Sequence, residues 1–525
     1  MDRMELTRLS AATLAQSIAR GDLSALEVTE AAIARIEEVN PRINAVVVKR
    51  YDQARAEARN IDARRARGEP LPALAGVPMT IKECIDLAGT PSTFGLPWRA
   101  GIKAEQDEIH VARLRAAGAV VLGKTNVAQL LAYIESDNPV YGRSSNPWHL
   151  DRVCGGSSGG EAAIVAAGAS ALGLGTDIGG SVRYPAHFCG IASIKPTTGR
   201  CDDTGRYSFS VGQRSILSQV GLLGRHVEDL ALGLEVINGG RDPATLPPRP
   251  LGDWSTVDVS KLRVGFYLDD GVFRSAPAIK RAVREAAAAL AGAGAKVVPW
   301  QPYQTGQAMR LFFALLGGDR LQTLKQALRG GPTHPAIKTL LFLAGRSRPT
   351  LALLRGLLGK LGQKTLAEGT RLFDTYSVSD YWKAAEEALD FQHAFAQAMD
   401  RADGGPLDLI LGPPCALPAF RHGTTKDIGL AGVNTAQYNL LGYPAGVVPV
   451  TRVRAGEESE RPTSRDLVEK LARECELGSA GLPVGVQVAA RPWHDHVALA
   501  AMQVIERAAR AAADYPVGPA QAHPR

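Results

Sequence analysis

The chain contains Gly155-Gly156-Ser157-Ser158-Gly159-Gly160 and, after an alanine-rich stretch, Gly175-Thr176-Asp177-Ile178-Gly179-Gly180-Ser181-Val182-Arg183. Ser157 and Ser181 therefore lie 24 residues apart, in two glycine-rich loops. A serine that follows Ile-Gly-Gly can face a row of unhindered backbone N–H groups, and such groups stabilise an oxyanion. Lys82 ends an apolar strand far upstream. These residues predict a hydrolase with a serine nucleophile, in which the second serine and the lysine remove the proton.

A lysine can act as a base only when it is neutral, so Lys82 needs burial or nearby positive charge to lower its pKa. Two other hydrolase types fit the sequence less well. Residues 155–159 match the G-x-S-x-G spelling of an α/β-hydrolase elbow, but that elbow follows an apolar strand and residues 150–154 make a poor one. The ten histidines contain no H-E-x-x-H or H-x-x-x-H pair, so we disfavour a metalloprotease and expect no metal.

Residues 118–125 match the phosphate-loop spacing G-x-x-x-x-G-K-[ST]. A working phosphate loop follows a strand, and its free backbone N–H groups wrap the phosphates. Here the middle residues are Ala-Val-Val-Leu, which read as a strand themselves, so their N–H groups are committed to a sheet. We therefore disfavour a nucleotide-binding protein, an alternative that a nucleotide-binding assay would test, and expect no cofactor.

The composition is that of an ordinary globular protein, with 525 residues, 45% hydrophobic and 22% charged. Six cysteines show no C-x-x-C spacing, which suits a reducing compartment and predicts a cytoplasmic location. The N-terminus leads directly into polar amphipathic helices, so we expect no signal peptide. No run of 18 or more apolar residues occurs, so we expect no membrane-spanning helix.

Strand and helix patterns alternate along the chain, which predicts an α/β protein whose sheet is covered on both faces. We predict strands at 77–81, 119–122, 262–267, 296–299, 408–411, 445–450 and 484–488. We predict helices at 107–117, 161–167, 277–293, 378–402 and 494–513. The polar stretch 452–480 interrupts two strands and is interpreted as a solvated insertion.

The net charge of +7 comes from one segment, because residues 320–366 hold nine lysines and arginines and no acid. The rest of the chain is close to neutral, so we expect no nucleic-acid partner. Leucines cluster within the segment, six of them between 351 and 361. The pattern fits either buried core helices or a helix pair lying on an anionic membrane surface, and the lack of acids favours the membrane.

The sequence resembles the amidase signature family over essentially its whole length. The resemblance rests on Lys82, Ser157 and Ser181 at the family's spacing and on residues 141–148 and 195–197. Residues 438–450 and 481–487 are most similar to the fatty acid amide hydrolase branch. Two features differ from that pattern. The membrane-spanning N-terminal helix of the branch's animal members is not found, and the family's usual Gly-Pro after the core is Gly221-Leu222 here.

The resemblance implies a role for each site residue. Ser181 would be the nucleophile, and Ser157, after a cis peptide bond from Gly156, would contact substrate and relay the proton to Lys82. The carbonyl of Leu131 would hold the substrate amide or the leaving group. The expected oxyanion hole consists of the N–H groups of Ile178, Gly179, Gly180 and Ser181. The residues expected to brace the loops are Ser158, Thr176, Asp177 and Arg183.

The resemblance also implies a single α/β/α domain with a central mixed sheet. We expect N-terminal helices at 1–68, a catalytic core at 69–300, a basic apolar helical cap at 320–367, and a part at 368–525 that completes the sheet. The expected activity is a serine amidohydrolase for long-chain or aryl acyl amides, acting through an acyl-enzyme. The alternative is a hydrolase of small amides, aryl acylamides or carbamates, with the cap as a dimer interface.

Two further alternatives are disfavoured. A glutamine amidotransferase subunit would have little use for an apolar cap, and a non-catalytic binding protein would not need all three catalytic residues. The expected partners are a lipophilic amide substrate, a second copy of the chain in a homodimer, and an anionic membrane surface that residues 336–365 would contact. The protein would then be cytoplasmic and peripheral on the membrane.

Overall fold

Strands organise the part of the chain that the computed structural model describes, namely residues 3–201, 208–209, 212–239 and 249–519. Within those residues the strands are β1 (Val46–Lys49), β2 (Pro78–Lys82), β3 (Val120–Thr125), β4 (Asp137–Asn138), β5 (Gly142–Arg143), β6 (Ser145–Asn146), β7 (His149–Val153), β8 (Leu172–Asp177), β9 (Ala192–Lys195), β10 (Gln219–Gly224), β11 (Arg263–Phe266), β12 (Lys296–Pro299), β13 (Leu409–Gly412), β14 (Ala445–Arg452) and β15 (Pro483–Ala490).

Eleven of these described strands form one sheet, in the order β1-β3-β2-β8-β10-β9-β14-β15-β13-β11-β12. The pairs β2–β3, β2–β8, β11–β12 and β11–β13 are parallel. The other pairs are antiparallel, so the sheet is mixed. Strands β4–β5 and β6–β7 form two small separate sheets. The predicted single α/β domain with a central mixed sheet is confirmed.

Helices connect and cover the strands. In the described residues they are α1 (Arg3–Leu6), α2 (Ala11–Arg20), α3 (Ala25–Ile43), α4 (Tyr51–Ala66), α5 (Ile109–Ala116), α6 (Gly159–Ala166), α7 (Arg183–Cys189), α8 (Val227–Ile237), α9 (Pro277–Gly292), α10 (Thr305–Leu316), α11 (Gln322–Leu328), α12 (Pro335–Ala344), α13 (Arg348–Lys360), α14 (Lys364–Gly369), α15 (Val378–Asp400), α16 (Thr425–Ile428), α17 (Ala436–Leu440), α18 (Leu467–Glu476) and α19 (Asp495–Arg510).

The central strands of the sheet are buried. Strands β2, β3, β8, β10 and β15 are buried along their full length. Because side chains alternate between the two faces of a strand, complete burial means that both faces are covered. The seven predicted strands are all present, with ends shifted by at most three residues.

Three central strands, β8, β9 and β10, were not predicted. Strand β8 has the sequence Leu-Gly-Leu-Gly-Thr-Asp, and its last three residues belong to the stretch whose sequence predicts a glycine-rich loop. A Cβ at Gly173 would lie 2.5 Å from the Glu161 side chain, so this glycine allows α6 to pack closely on the strand. Such close approach depends on a distant helix, and local sequence gives no sign of it.

The phosphate-loop spelling lies in strand β3, as predicted. That strand pairs with β1 on one side and β2 on the other, so its backbone is committed to the sheet. The Lys124 side chain is buried, donating to Ser92 Oγ at 2.9 Å and to the Pro91 carbonyl at 2.5 Å. The lysine is therefore engaged with protein groups, and residues 118–125 form no loop that could wrap phosphates.

The interpretation of 452–480 as a solvated insertion is wrong in part. The segment joins the neighbouring strands β14 and β15, but it contains α18, which buries Val468, Ala472 and Cys475. Arg461 is buried as well and pairs with Glu476 at 3.1 Å. Apolar residues at helical spacing are present within the charged stretch, and the abundant charges obscured them.

The segment predicted as a cap contains helices α11 to α14. It packs beside the cavity described below, to which it contributes Leu321, Leu324 and Leu340. Among the helices that the structure describes, none is long and apolar enough to cross a membrane.

Candidate active site

A cavity of about 260 Å³ lies beside the two serine loops. Five of the predicted site residues line it: Leu131, Ser157, Thr176, Ile178 and Ser181. The rest of its wall is mainly apolar and includes Phe94, Leu130, Phe313, Leu316, Leu324, Leu340 and Phe373. Predicted residues separated by up to 50 positions thus face one largely apolar space.

Lys82 is the last residue of β2 and is fully buried. Its Nζ lies 2.7 Å from Ser157 Oγ and 2.8 Å from Thr176 Oγ1. Because β2 is buried along its full length, its end delivers the amine into the protein rather than to solvent. The contact with Ser157 provides a direct route for a proton between the serine and the lysine.

The peptide bond between Gly156 and Ser157 is cis, as the resemblance implies. A Cβ at Gly156 would lie 2.5 Å from the Tyr133 carbonyl oxygen, so only glycine fits there. The neighbouring Ser158 ties the two serine loops together, because its N–H donates to the Ser181 carbonyl at 3.2 Å and its hydroxyl to the Thr176 carbonyl at 3.3 Å. Ser158 and Thr176 therefore contact the loops that they were predicted to brace.

The loop that carries Ser181 is held by Asp177. One carboxylate oxygen accepts from the Gly180 N–H at 2.8 Å, and the other accepts from the Val182 N–H at 3.3 Å. The Gly180 N–H, one of the four predicted oxyanion donors, therefore has an acceptor within the loop itself. The remaining predicted donors are the N–H groups of Ile178, Gly179 and Ser181.

Asp177 and Arg183 form an ion pair at 2.9 Å, and neither side chain is exposed. Burial alone would raise the pKa of Asp177, but the charge and hydrogen bonds of Arg183 outweigh burial and hold that pKa below its usual value. The carboxylate is therefore ionised and can keep the loop in place at neutral pH.

Arg183 also reaches the C-terminal half of the chain. It donates to Gln487 Oε1 at 2.8 Å, to Asn439 Oδ1 at 2.6 Å and to the Thr435 carbonyl at 2.9 Å. None of these three residues was predicted to have a role. A possible signal was Gln487, a single polar residue inside the otherwise apolar, fully buried strand β15.

Glu161 is a second residue that sequence reasoning missed. Its buried carboxyl group accepts from Thr125 Oγ1 at 2.6 Å and is also hydrogen-bonded to Thr80 Oγ1, two residues before Lys82. Burial raises its pKa to about 7, against the opposing effect of these hydrogen bonds and of Lys82. A carboxyl group that titrates near neutrality thus lies behind the lysine.

The cap has one buried face and one exposed face. Leu351 is buried, but Phe342, Leu353, Leu357 and Leu361 are 54%, 76%, 53% and 62% exposed. The leucines of α13 therefore do not form one stripe, and neither sequence interpretation describes the helix completely. The exposed basic residues beside them are Lys338, Arg346, Arg348, Lys360 and Lys364.

Comparison with known proteins shows the family to which this chain belongs. The family model described as Amidase matches residues 27–499. The chain belongs to the amidase family. The expected membership is thereby confirmed, and the protein is an amide hydrolase by that membership and by its relatives.

Two groups of relatives resemble this amidase. Fatty-acid amide hydrolase 1 of Sus scrofa is 34% identical over 526 residues, covering 97% of this chain and 87% of the relative. A glutamyl-tRNA(Gln) amidotransferase subunit from Roseiflexus castenholzii is 35% identical over 460 residues, covering 85% of this chain and 89% of the relative.

Solved structures of amide hydrolases are similar to this amidase over nearly its whole length. A structure of fatty acid amide hydrolase superimposes with a TM-score of 0.82 at 26% identity, covering 96% of this chain and 86% of that chain. A bacterial aryl acylamidase of the amidase signature family gives a TM-score of 0.71 at 26% identity, covering 95% and 96%.

Proposed function

We propose that this amidase cleaves acyl amides of hydrophobic carboxylic acids through an acyl-enzyme on Ser181. The observation that carries the proposal is the buried contact of Lys82 Nζ with Ser157 Oγ at 2.7 Å, at the wall of a cavity that Ser181 also lines. Neutral Lys82 takes a proton through Ser157 as Ser181 attacks the substrate carbonyl.

The same groups complete the cycle. The N–H groups of Ile178, Gly179 and Ser181 stabilise the oxyanion, while Asp177 holds their loop. The protonated Lys82–Ser157 pair returns a proton to the leaving amine, which makes a poor leaving group acceptable. The Leu131 carbonyl accepts a hydrogen bond from the substrate amide N–H. Water then hydrolyses the acyl-enzyme by the same relay.

The cavity wall supports a hydrocarbon or aryl acyl group. Phenylalanine and leucine side chains from α10, the cap and residues 94 and 130–131 surround the space next to Ser181. Against these apolar side chains, a polar acyl group would lose its hydration without recovering hydrogen bonds. The cap at 320–367 acts in this proposal as the cover of the acyl-binding space.

The exposed face of the cap supports contact with an anionic membrane. Four large apolar side chains there are more than half exposed, and lysines and arginines lie beside them. This pairing suits a surface that offers both acyl chains and negative charge. A lipophilic substrate could then enter without crossing water.

A homodimer is supported by a different surface. On α15, Val378, Trp382 and Leu389 are 65%, 69% and 57% exposed and recur at helical spacing on one side. Isolated exposed apolar residues are common, but a row that includes a tryptophan is typical of a protein contact. This surface lets the second copy and the membrane use different faces.

The deciding experiment compares acetyl, aryl and oleoyl amides with free glutamine as substrates of the purified protein. We expect hydrolysis of the aryl and oleoyl amides, with kcat/KM well above that for acetyl amides. A preference for acetyl amides would favour the small-amide alternative. Activity on glutamine alone would favour the function of the amidotransferase subunit.

A further inference from the structure

Two consecutive leucines next to the catalytic loops have an unusual backbone. Leu130 and Leu131 have φ values of +53° and +57°, and both line the cavity. A left-handed backbone costs a residue other than glycine about 1–2 kcal/mol. Such a turn persists only where surrounding contacts hold it, and it tends to occur at functional sites.

The core holds the turn from one side. The Leu130 N–H donates to the Phe94 carbonyl at 2.8 Å, and the Leu131 N–H donates to the Ala128 carbonyl at 3.0 Å. The Gln129 N–H donates to Tyr133 Oη at 3.1 Å. These bonds fix the course of the backbone, but all of them come from residues 94–133 of the catalytic core.

The cap holds the turn from the other side, through the side chain of Gln129. This side chain is fully buried, and its Nε2 donates to the Pro332 carbonyl at 2.8 Å and to the Gly95 carbonyl of the core at 3.3 Å. Its Oε1 accepts from the His334 N–H at 2.9 Å. The His334 ring also stacks on Tyr133, with ring centroids 4.3 Å apart. One amide thus binds the loop between α11 and α12 with both of its polar atoms.

A second contact anchors the end of α11 and the start of the same cap loop. Trp98 Nε1 donates to the Ala327 carbonyl at 2.9 Å, and the guanidinium of Arg329 lies 3.6 Å from the centroid of the Trp98 ring. This anchor belongs to residues 97–99 and not to the leucine turn. The structure therefore supplies a matched comparison, with one tether at the end of α11 and one on the loop that follows it, of which only Gln129 adjoins Leu130 and Leu131.

We propose that Gln129 is a positioning residue that uses the cap to fix the Leu131 carbonyl against the substrate amide. The inference rests on the proposed function, in which that carbonyl accepts the substrate N–H. Displacing the cap loop would then alter how the site holds an amide. An ester with the same acyl group has no N–H to donate, so its hydrolysis would depend much less on Gln129.

The test compares Gln129→Met, which keeps the volume but removes all three side-chain hydrogen bonds of Gln129, with Trp98→Phe, which loosens the other tether. We expect Gln129→Met to lower kcat/KM for an aryl acylamide about 3- to 10-fold, the equivalent of one hydrogen bond, and to change the matched ester less than about 2-fold. Trp98→Phe should leave the amide-to-ester ratio at the wild-type value.

Two controls make the outcome decisive. Gln129→Glu keeps the acceptor for the His334 N–H but loses the donor to the Pro332 and Gly95 carbonyls, so it should also lower the amide-to-ester ratio and provides a second variant if Gln129→Met folds poorly. Labelling of Ser181 by a small fluorophosphonate reports an intact nucleophile. An unchanged ratio in both Gln129 variants, with labelling intact, overturns the inference. A wild-type protein that neither labels nor hydrolyses amides overturns the proposed function instead.

Discussion

The N–H of Gly180 donates to the carboxylate of Asp177 at 2.8 Å, so a buried ionised group fixes the loop that carries Ser181. The same carboxylate pairs with Arg183, and both side chains are fully buried. The loop that carries Ser181 and the C-terminal half of the chain are therefore joined through one ion pair, because Arg183 also binds Asn439 and Gln487.

Replacing Asp177 by asparagine keeps the shape but leaves Arg183 without its counter-charge. Removing one partner of a buried pair costs about 3–5 kcal/mol, so we expect the free energy of unfolding in urea to fall by that amount. The matched control is Glu387→Gln, which breaks a pair with Arg310 whose side chains are 48% and 42% exposed. That change should cost less than about 1 kcal/mol. Equal losses in the two variants would contradict the role of Asp177.

Covalent labelling tests the nucleophile. A fluorophosphonate should form one adduct on Ser181, and Ser181→Ala should lose labelling and amide hydrolysis together, because the proposed loop of backbone N–H donors adjoins that serine. Mass spectrometry of the digested adduct gives its position. An adduct on Ser157, or full activity in Ser181→Ala, would reassign the roles of the two serines.

Lys82→Ala tests the proton relay. Only a neutral amine can accept a proton, so the proposed relay requires the unprotonated form of Lys82. The variant should lose far more activity on an amide than on a matched activated ester, because an amine leaving group needs a proton and a phenolate does not. The measurement is kcat/KM for both substrates across the pH range. Equal losses would leave Lys82 with a positioning role alone.

Glu161→Gln tests the buried carboxyl group behind the lysine. The pKa of Glu161 is raised from 4.5 to about 7. A raised pKa favours the folded state while the group is protonated, so its contribution is lost as pH rises from about 4.5 to about 7. Glutamine does not titrate. The stability of the variant relative to wild type should therefore increase by roughly 3 kcal/mol between about pH 4.5 and about pH 8.

Urea unfolding at a series of pH values measures this difference directly. Other buried acids, among them Asp229, titrate in both proteins and cancel in the comparison. A stability difference that stays constant over the whole pH range would mean that Glu161 keeps an ordinary pKa in the folded protein.

The exposed leucines of α13 and its C-terminal end test the membrane proposal. We expect replacement of Leu353, Leu357 and Leu361 by serine to reduce binding to anionic vesicles and hydrolysis of oleoyl amides, because these exposed side chains would enter the membrane surface. Short amides and Ser181 labelling should be unaffected. Wild-type binding should weaken with salt, since charged lipids are screened.

The α15 surface provides the matched control for that experiment. Leu389→Ser changes a leucine of similar exposure, 57%, on the face assigned to a second copy. It should leave vesicle binding unchanged and weaken the dimer in sedimentation experiments. Wild-type protein that ignores anionic vesicles, with a cap variant that loses its dimer, would show that the cap is the interface between the two copies.

The sequence by itself determined which residues are candidates for the catalytic centre and to which family the chain belongs. A motif such as Gly-Gly-Ser-Ser-Gly-Gly is contained in a few consecutive residues, and the conformational freedom of its glycines predicts a loop without reference to any distant residue. The strands with continuous apolar runs were predicted for a similar reason, because a run of consecutive apolar side chains by itself predicts a buried strand. The glycine-containing strand β8 carried no such signal.

Only the tertiary structure decided which distant residues complete the site. Lys82 and Ser157 are 75 residues apart, and Arg183 and Gln487 are 304 apart, yet each pair lies within hydrogen-bond distance. The sequence did not predict three further features either: the hydrogen bond from Gly180 to Asp177, the two faces of α13 and the link from Gln129 to the cap. Such contacts depend on how whole elements pack, and the pattern within a single element does not specify which partner will cover it.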